Sequence, residues 1–415
     1  MKKALVQSVG TGTRPDMDIT RPLLWHVRPS GATFVAWVVS DDSRPYAERM
    51  ASELGLAPEE YEIRRVTAFE DVEDVYRECL ALLRDLERRG FVPEAIEVDY
   101  TSGTKAMTAG LALAAVSHRC ATLTYIAGDR QAGVVISGTE RLVSIEPRRI
   151  WADERLRLAR DYCLALRFDA ALALVEGVNE AWLGEHERRV AGGLRAVAAG
   201  YGAWDRFDYG RAAGELGKFA ESVPAELRVF QPDRALQGRL PALKPEAGIT
   251  ADRLADLFNN ARRRLEEGRY DDALARLYRL TEMLAQWILR AEFHIDSADV
   301  DVAKVPPPLR ARMEAQRGGE GRVQIGLTQD YELLEGLDHP AGRFFKENSS
   351  LGVLLKKRNE SLLAHGYSPI GKREVEALVP HLDGLIACRL SDWQERLAAL
   401  QFPWLRGSAP ARGVG

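Results

Sequence analysis

Arg358 and His365 are the residues whose types and spacing most strongly suggest chemistry in this chain. They sit in the run Leu351-Gly-Val-Leu-Leu-Lys-Lys-Arg358-Asn359-Glu-Ser361-Leu-Leu-Ala-His365-Gly366, with Pro369 beyond. The pattern predicts one helix ending at Gly366. On such a helix seven residues return almost to the same face, about 10 Å further along the axis. Leu351, Leu354 and Leu362 share that stripe, so a guanidinium and an imidazole stand where apolar core is expected. Ionisable groups there are costly unless partners or function compensate. A histidine moves protons near neutral pH. An arginine holds phosphate and stabilises charge growing on a phosphorane. Together these are the needs of metal-independent RNA cleavage, in which the 2′-hydroxyl attacks the adjacent phosphate. Asn359 could orient phosphate or imidazole, and Ser361 could do the same or bond its own helix backbone. The plainer alternative is one solvated arginine and one structural histidine.

Two loops near the N-terminus suggest a second site. Ser8-Val9-Gly10-Thr11-Gly12-Thr13 follows the first strand-like run, and Asp99-Tyr100-Thr101-Ser102-Gly103-Thr104-Lys105 follows the fourth and opens a helix. Glycine lets backbone approach a ligand, hydroxyls donate to phosphate or ribose oxygens, and Lys105 adds charge at a helix start. Either loop alone is an ordinary strand-to-helix turn; together they point to one shared phosphorylated or nucleotide-like ligand, with Ser40 on the rim. Asp16 stands where the dinucleotide fingerprint needs its third glycine, and no GxxxxGK loop is present, which argues against a cofactor oxidoreductase or a nucleotide kinase.

These loops belong to a β-α-β alternation over the first 150 residues: strands at Ala4 to Val9, Thr33 to Val39, Tyr61 to Val66, Ala95 to Tyr100 and Ala121 to Ala127, helices at Val72 to Arg88 and Lys105 to His118, and a hairpin from Val134 to Ile145 turning near Gly138. That pattern predicts an α/β Rossmann-like domain with ligands beyond the carboxyl ends of its strands. From Trp151 onward the pattern is helical. Phe168-Asp-Ala-Ala, Phe207-Asp-Tyr-Gly and Tyr270-Asp-Asp-Ala each open a helix after a preceding one, like degenerate tetratricopeptide hairpins. Residues 222 to 250 read as a linker and Pro306 to Val323 as an exposed loop.

An apolar content of 46% is enough for real cores, whereas a net charge of −4 leaves any nucleic-acid site dependent on a local patch such as Lys356, Lys357 and Arg358. Cys79, Cys120, Cys163 and Cys388 lack metal-type spacing and read as packed thiols of a cytoplasmic protein. No signal peptide, membrane span or metal site is expected.

Arg358, six intervening residues and His365 resemble the Arg-x4–6-His signature of HEPN ribonucleases, and Asp271 to Leu289, with Arg276, Arg279 and Glu282, resembles their first long helix. The two glycine- and hydroxyl-rich loops resemble the ligand loops of CARF domains, the Rossmann-like sensors of CRISPR systems. The chain is thus similar to the CARF–HEPN ancillary nucleases of type III CRISPR defence. The resemblance implies an α/β CARF domain (1–150), an all-α connector (151–245) and an all-α HEPN domain (246–405). It further implies a homodimer binding a cyclic oligoadenylate through Ser8, Gly10, Thr11, Gly12, Thr13 and Thr101 to Lys105, with cyclic tetra-adenylate favoured over hexa-adenylate. Arg358 and His365 from each subunit, with Asn359, would cut single-stranded RNA without a cofactor, and DNA and membranes are not expected partners. Some CARF domains also slowly cleave their own activator, and Thr11, Thr13, Ser102 or Thr104 would position that reaction. Two other readings stay open: a non-catalytic nucleotide sensor that docks a partner through its helices, and an enzyme acting only on its own cyclic ligand.

Overall fold

The computed structural model describes residues 2–12, 18–131, 134–244, 248–316, 322–361 and 367–406. The chain divides into two compact units, Met1–Leu158 with Glu176–Arg188, and Ala159–Val175 with Arg189–Gly415.

The first unit runs β1 (Ala4–Val9), α1 (Thr20–Ser30), β2 (Phe34–Val39), α2 (Arg44–Leu54), β3 (Tyr61–Arg65), α3 (Val72–Arg88), β4 (Ile96–Asp99), α4 (Lys105–Ser117), β5 (Thr122–Ala127), β6 (Arg130–Gln131), β7 (Val134–Val135) and β8 (Arg141–Ile145). The sheet order is β3-β2-β1-β4-β5-β8, parallel except for β8. Both faces of its central strands are buried, which is why β2, Phe34–Val39, reads as a continuous apolar run, whereas β1 and β4 also carry buried polar groups. Phe34, Ala36 and Val38 pack towards α3 and α4, while Val35, Trp37 and Val39 pack with residues of α1 and α2. After β1 the chain builds outward through β2 and β3, then returns to place β4 on the other side of β1. This reversal makes β1/β4 the topological switch point, where the loops after both strands diverge and leave a crevice.

One expectation is corrected here. Val134 to Ile145 is not a hairpin: Val134–Val135 pairs with Arg130–Gln131, and Arg141–Ile145 instead forms the antiparallel edge against β5. Helices α1 and α2, which the sequence reading did not name, cross between the first three strands. Pro22, Pro29 and Pro45 obscure their periodicity, but Pro45 stands at the start of α2, where a missing N–H is harmless.

The remaining helices are α5 (Pro147–Leu164), α6 (Phe168–Glu176), α7 (Glu185–Asp205), α8 (Tyr209–Glu221), α9 (Arg234–Arg239), α10 (Ala251–Glu266), α11 (Tyr270–Phe293), α12 (Pro307–Glu314), α13 (Leu327–Gly336), α14 (Pro340–Glu347), α15 (Ser349–Glu360), α16 (Lys372–Ala387) and α17 (Trp393–Ala399). The three repeated motifs do open helices, and each of those helices begins two residues after one with positive φ: Leu166 before α6, Phe207 before α8 and Gly268 before α11. That conformation ends one helix and lets the next begin within three residues. Residues 222–244 are not a loose linker, because Leu227, Phe230, Leu236, Leu240 and Leu243 are buried. The described part of the Pro306 to Val323 stretch is not simply a loop either; its prolines start α12, and Met313 is buried. In the second unit Asp256 accepts hydrogen bonds from Trp204 Nε1 at 2.7 Å and Tyr209 Oη at 2.8 Å, and Asp205 pairs with Arg263 at 2.9 Å. Among the described residues no helix is long and apolar enough to cross a membrane.

Candidate functional site

A cavity of about 400 Å³ in the first unit lies where the switch point predicts it. It is lined by Gly10, Thr11 and Gly12 from the loop after β1, Ser40 after β2, and Thr101 to Thr104 after β4. The loops after β1 and β4 are locked together. Ser8 Oγ donates to the Ser102 carbonyl, and the Gly10 N–H donates to Ser102 Oγ at 3.1 Å. A Cβ on Gly10 would stand 2.8 Å from Gly103 N, and Gly103 itself has φ +115°, so both glycines are required for this approach. Thr104 caps α4 by accepting from Met107 N–H at 3.1 Å, and its hydroxyl donates to the Phe69 carbonyl at 2.8 Å.

Eight of the eleven ligand residues named from sequence therefore line one cavity. Ser8 is buried beneath it as a fastener, Lys105 is exposed and outside the lining, and Thr13 lies outside the described residues. Sequence reasoning missed Asp42, Arg130 and the apolar wall of Ile19, Pro22 and Leu23. Arg130, whose guanidinium lies 5.3 Å from the Tyr125 ring centroid, follows the end of β5. The strand-end rule that found the other loops could have found it.

Behind this cavity His26 is buried between two carboxylates of β4, with Nδ1 2.7 Å from Asp99 and Nε2 2.9 Å from Glu97. Burial opposes its charge, but the hydrogen bonds to Asp99 and Glu97 prevail and raise its pKa to about 9. Burial likewise opposes ionisation of Glu97, yet His26 and Lys3 hold its pKa down at about 2. Stabilisation from His26 is complete below its ordinary value of 6.5 and is lost as pH rises through about 9. That from Glu97 is complete above 4.5 and is lost as pH falls through about 2. Thermal unfolding of the full chain should therefore show Tm declining between pH 6.5 and 9, and His26→Gln should flatten that decline. An equally steep decline in the variant would rule out His26 as its source.

In the second unit Arg358 lies in the last turn of α15, half-buried, with its guanidinium 4.8 Å from the centroid of the Tyr278 ring on α11. Its Nη1 donates to Asn359 Oδ1 at 3.1 Å. Burial first, then the Glu282 carboxylate, raises the Tyr278 pKa, and Arg358 opposes the shift. Glu282 also pairs with Arg279 at 3.0 Å. Packing α15 on α11 thus assembles Arg358, Tyr278, Glu282 and Arg279, of which Tyr278 was not anticipated. Arg276 faces elsewhere, donating to Asn260 Oδ1 at 2.6 Å. Of the anticipated basic patch, exposed Lys356 lies 3.8 Å from Glu360 and Lys357 pairs with Glu374, so part of its charge is balanced locally.

The predicted helix does not run unbroken past Glu360, and residues 362–366 lie outside the described residues. α15 stops at Glu360, and Ser361 is extended, with its hydroxyl turned back to the Arg358 carbonyl at 2.9 Å. Ser361 then bridges to Ser368. His365 lies outside the described residues. Among the described residues no group of three or more His, Cys, Asp or Glu is arranged to hold a metal ion.

Residues 249–388 match the family model described as the Csm6 HEPN domain. The chain is 28% identical over 350 residues to the CRISPR system endoribonuclease Csm6 of Thermus thermophilus, covering 76% of this chain and 72% of that protein. Its fold is similar to that of Enterococcus italicus Csm6 bound to cyclic hexa-2′-fluoro-hexa-dAMP, with a TM-score of 0.62, 14% identity, and coverage of 97% of this chain and 99% of that one. A Rossmann-like unit with a switch-point cavity, together with a helical region that matches a HEPN domain model over residues 249–388, is the fold this chain shares with that Csm6 structure. More particularly, its C-terminal helical region is a HEPN domain of the Csm6 type.

Proposed function

We propose that this chain is a cyclic-oligoadenylate-activated endoribonuclease of type III CRISPR defence. Residues 1–150 serve as sensor, 151–245 as connector and 246–405 as nuclease. The observation that carries this reading is Arg358 seated over Tyr278 within the Csm6-type HEPN domain. The cavity of Gly10, Thr11, Gly12 and Thr101 to Thr104 supports the sensor role, because glycine backbone and hydroxyls suit phosphate and ribose oxygens. Two protomers would hold one ring with the same loops from each, an isologous arrangement natural to a two-fold symmetric ligand. Arg358 and His365 from both would form one composite site for single-stranded RNA. The arginine holds the phosphate, His365 moves the proton, Asn359 orients them, and no metal takes part. The ring acts by favouring one arrangement of the dimer. Cyclic tetra-adenylate is the expected activator, acting in the cytoplasm.

The test is cleavage of a fluorogenic single-stranded RNA in EDTA with no ring, cyclic tetra-adenylate or cyclic hexa-adenylate. Cleavage dependent on one ring supports the proposal. Ring binding without turnover under either ring would favour a non-catalytic sensor. Loss of the ring itself, with RNA absent, would reveal activator cleavage.

A further inference from the structure

We infer that His26 and Asp99 form a buried clip that presets the walls of the activator cavity, making both positioning residues for activator binding. The inference rests on the sensor reading above.

Glu97 and Asp99 lie two residues apart on a central strand, so their side chains emerge on the same face. Ile96 and Val98, on the opposite face, belong to the apolar core with α3 and α4. Two carboxylates on a buried sheet face are expensive unless paired. One imidazole, itself fully buried, answers both. Only the protonated ring has two N–H donors, so the geometry calls for an imidazolium. Lys3 Nζ at 2.8 Å and the Thr124 hydroxyl at 3.2 Å complete the Glu97 end.

The Asp99 end is different, because it reaches the cavity from two sides. Asp99 Oδ1 accepts the N–H of Thr101 at 2.9 Å and also its hydroxyl, and that hydroxyl accepts the Ile126 N–H at 2.7 Å. The loop from Thr101 to Thr104 is thus built upon Asp99. Asp99 Oδ2 takes His26 from α1 and, at 3.1 Å, the Gln7 amide, which also donates to the Leu23 carbonyl. Ile19, the N-cap of α1, and Pro22, Leu23 and His26 within α1 follow a spacing of three, four and seven, one face of a helix. The first three line the cavity. A single carboxylate therefore fixes the loop on one side and the apolar wall on the other. Walls held in place before the ligand arrives raise affinity by removing the ordering cost of binding.

Glu97 provides an internal control, since it anchors the same imidazole yet makes no bond to the loop. The experiment measures direct binding of each ring, RNA cleavage against ring concentration, and Tm, all in the full chain, for the parent, His26→Gln, Asp99→Asn and Glu97→Gln. In His26→Gln and Asp99→Asn the ring concentration for half-maximal cleavage should rise by about 10-fold or more, while the maximal rate stays within about 2-fold. Glu97→Gln should lower Tm but leave the half-maximal concentration within about 2-fold of the parent. If His26→Gln does not fold, the near-isosteric Asp99→Asn carries the test. An unchanged half-maximal concentration in Asp99→Asn would overturn the clip. So would a Glu97→Gln shift as large as that of His26→Gln, because the effect would then follow stability alone. Failure of the parent to bind either ring would overturn the sensor reading and the clip together; binding without RNA turnover would overturn only the nuclease reading and leave the clip to be judged by the binding curves.

Discussion

Replacing Arg358 with alanine should lower ring-activated RNA cleavage by about 100- to 1000-fold while leaving ring binding unchanged. The guanidinium sits over Tyr278 and donates to Asn359, half-buried at the end of α15. A charge held in this way is already oriented when negative charge grows on the phosphate, so little reorganisation is needed during the reaction. Arg358→Lys should recover little activity, because an ammonium neither stacks as a plane on the tyrosine ring nor grips phosphate with two parallel bonds. Tyr278→Phe keeps the ring and should stay close to the parent, whereas Tyr278→Ala should fall part of the way towards Arg358→Ala. His365→Ala should lose a comparable amount through loss of its proton transfer. Single-turnover cleavage at saturating ring is the appropriate measurement. An Arg358→Ala rate within threefold of the parent would remove this residue from the proposed chemistry.

How much of this was legible beforehand depended on the range of the interactions. The strands of the first unit were readable because a sheet buried on both faces produces apolar runs, and the ligand loops because glycines and hydroxyls follow those runs directly. His26 was not readable. Its partners Asp99 and Glu97 are 73 and 71 residues away, and nothing local distinguishes a histidine bridging two buried carboxylates from one facing solvent. Tyr278 was hidden similarly, since an aromatic residue on an amphipathic helix reads as core until another helix brings a guanidinium over it. The end of α15 failed for a local reason. Leucine spacing continues through Leu362, yet Ser361 bonds back to the Arg358 carbonyl and leaves the helix, a competition with the backbone that periodicity does not register. Residues 222–250 misled through composition: prolines and glycines suggested a linker, while the buried leucines between them anchor short helices.

The loops themselves yield the second large effect: Gly10→Ala should raise the ring concentration needed for half-maximal cleavage by about 10- to 100-fold, the equivalent of about 1–3 kcal/mol of overpacking. The new methyl would stand 2.8 Å from Gly103 N and 2.9 Å from its Cα, backbone atoms with no rotamer by which to move aside. Gly103 has little room to retreat, because its own Cβ position is 3.2 Å from Met107 Cβ and 3.5 Å from Ser8 Cβ. Relief must come from parting the loops, which breaks the Gly10–Ser102 and Ser8–Ser102 hydrogen bonds and moves two walls of the cavity together. Gly55→Ala provides the comparison. Gly55 also has positive φ, at +66°, but a Cβ there meets nothing within 4 Å, so the change should cost about 1 kcal/mol of stability and leave the activator response intact. A general loss of stability would affect both variants alike. An activator shift confined to Gly10→Ala, measured beside matched Tm values, would assign the effect to the meeting of the two loops, whereas equal shifts would mean that the cavity responds only to the stability of the sheet beneath it.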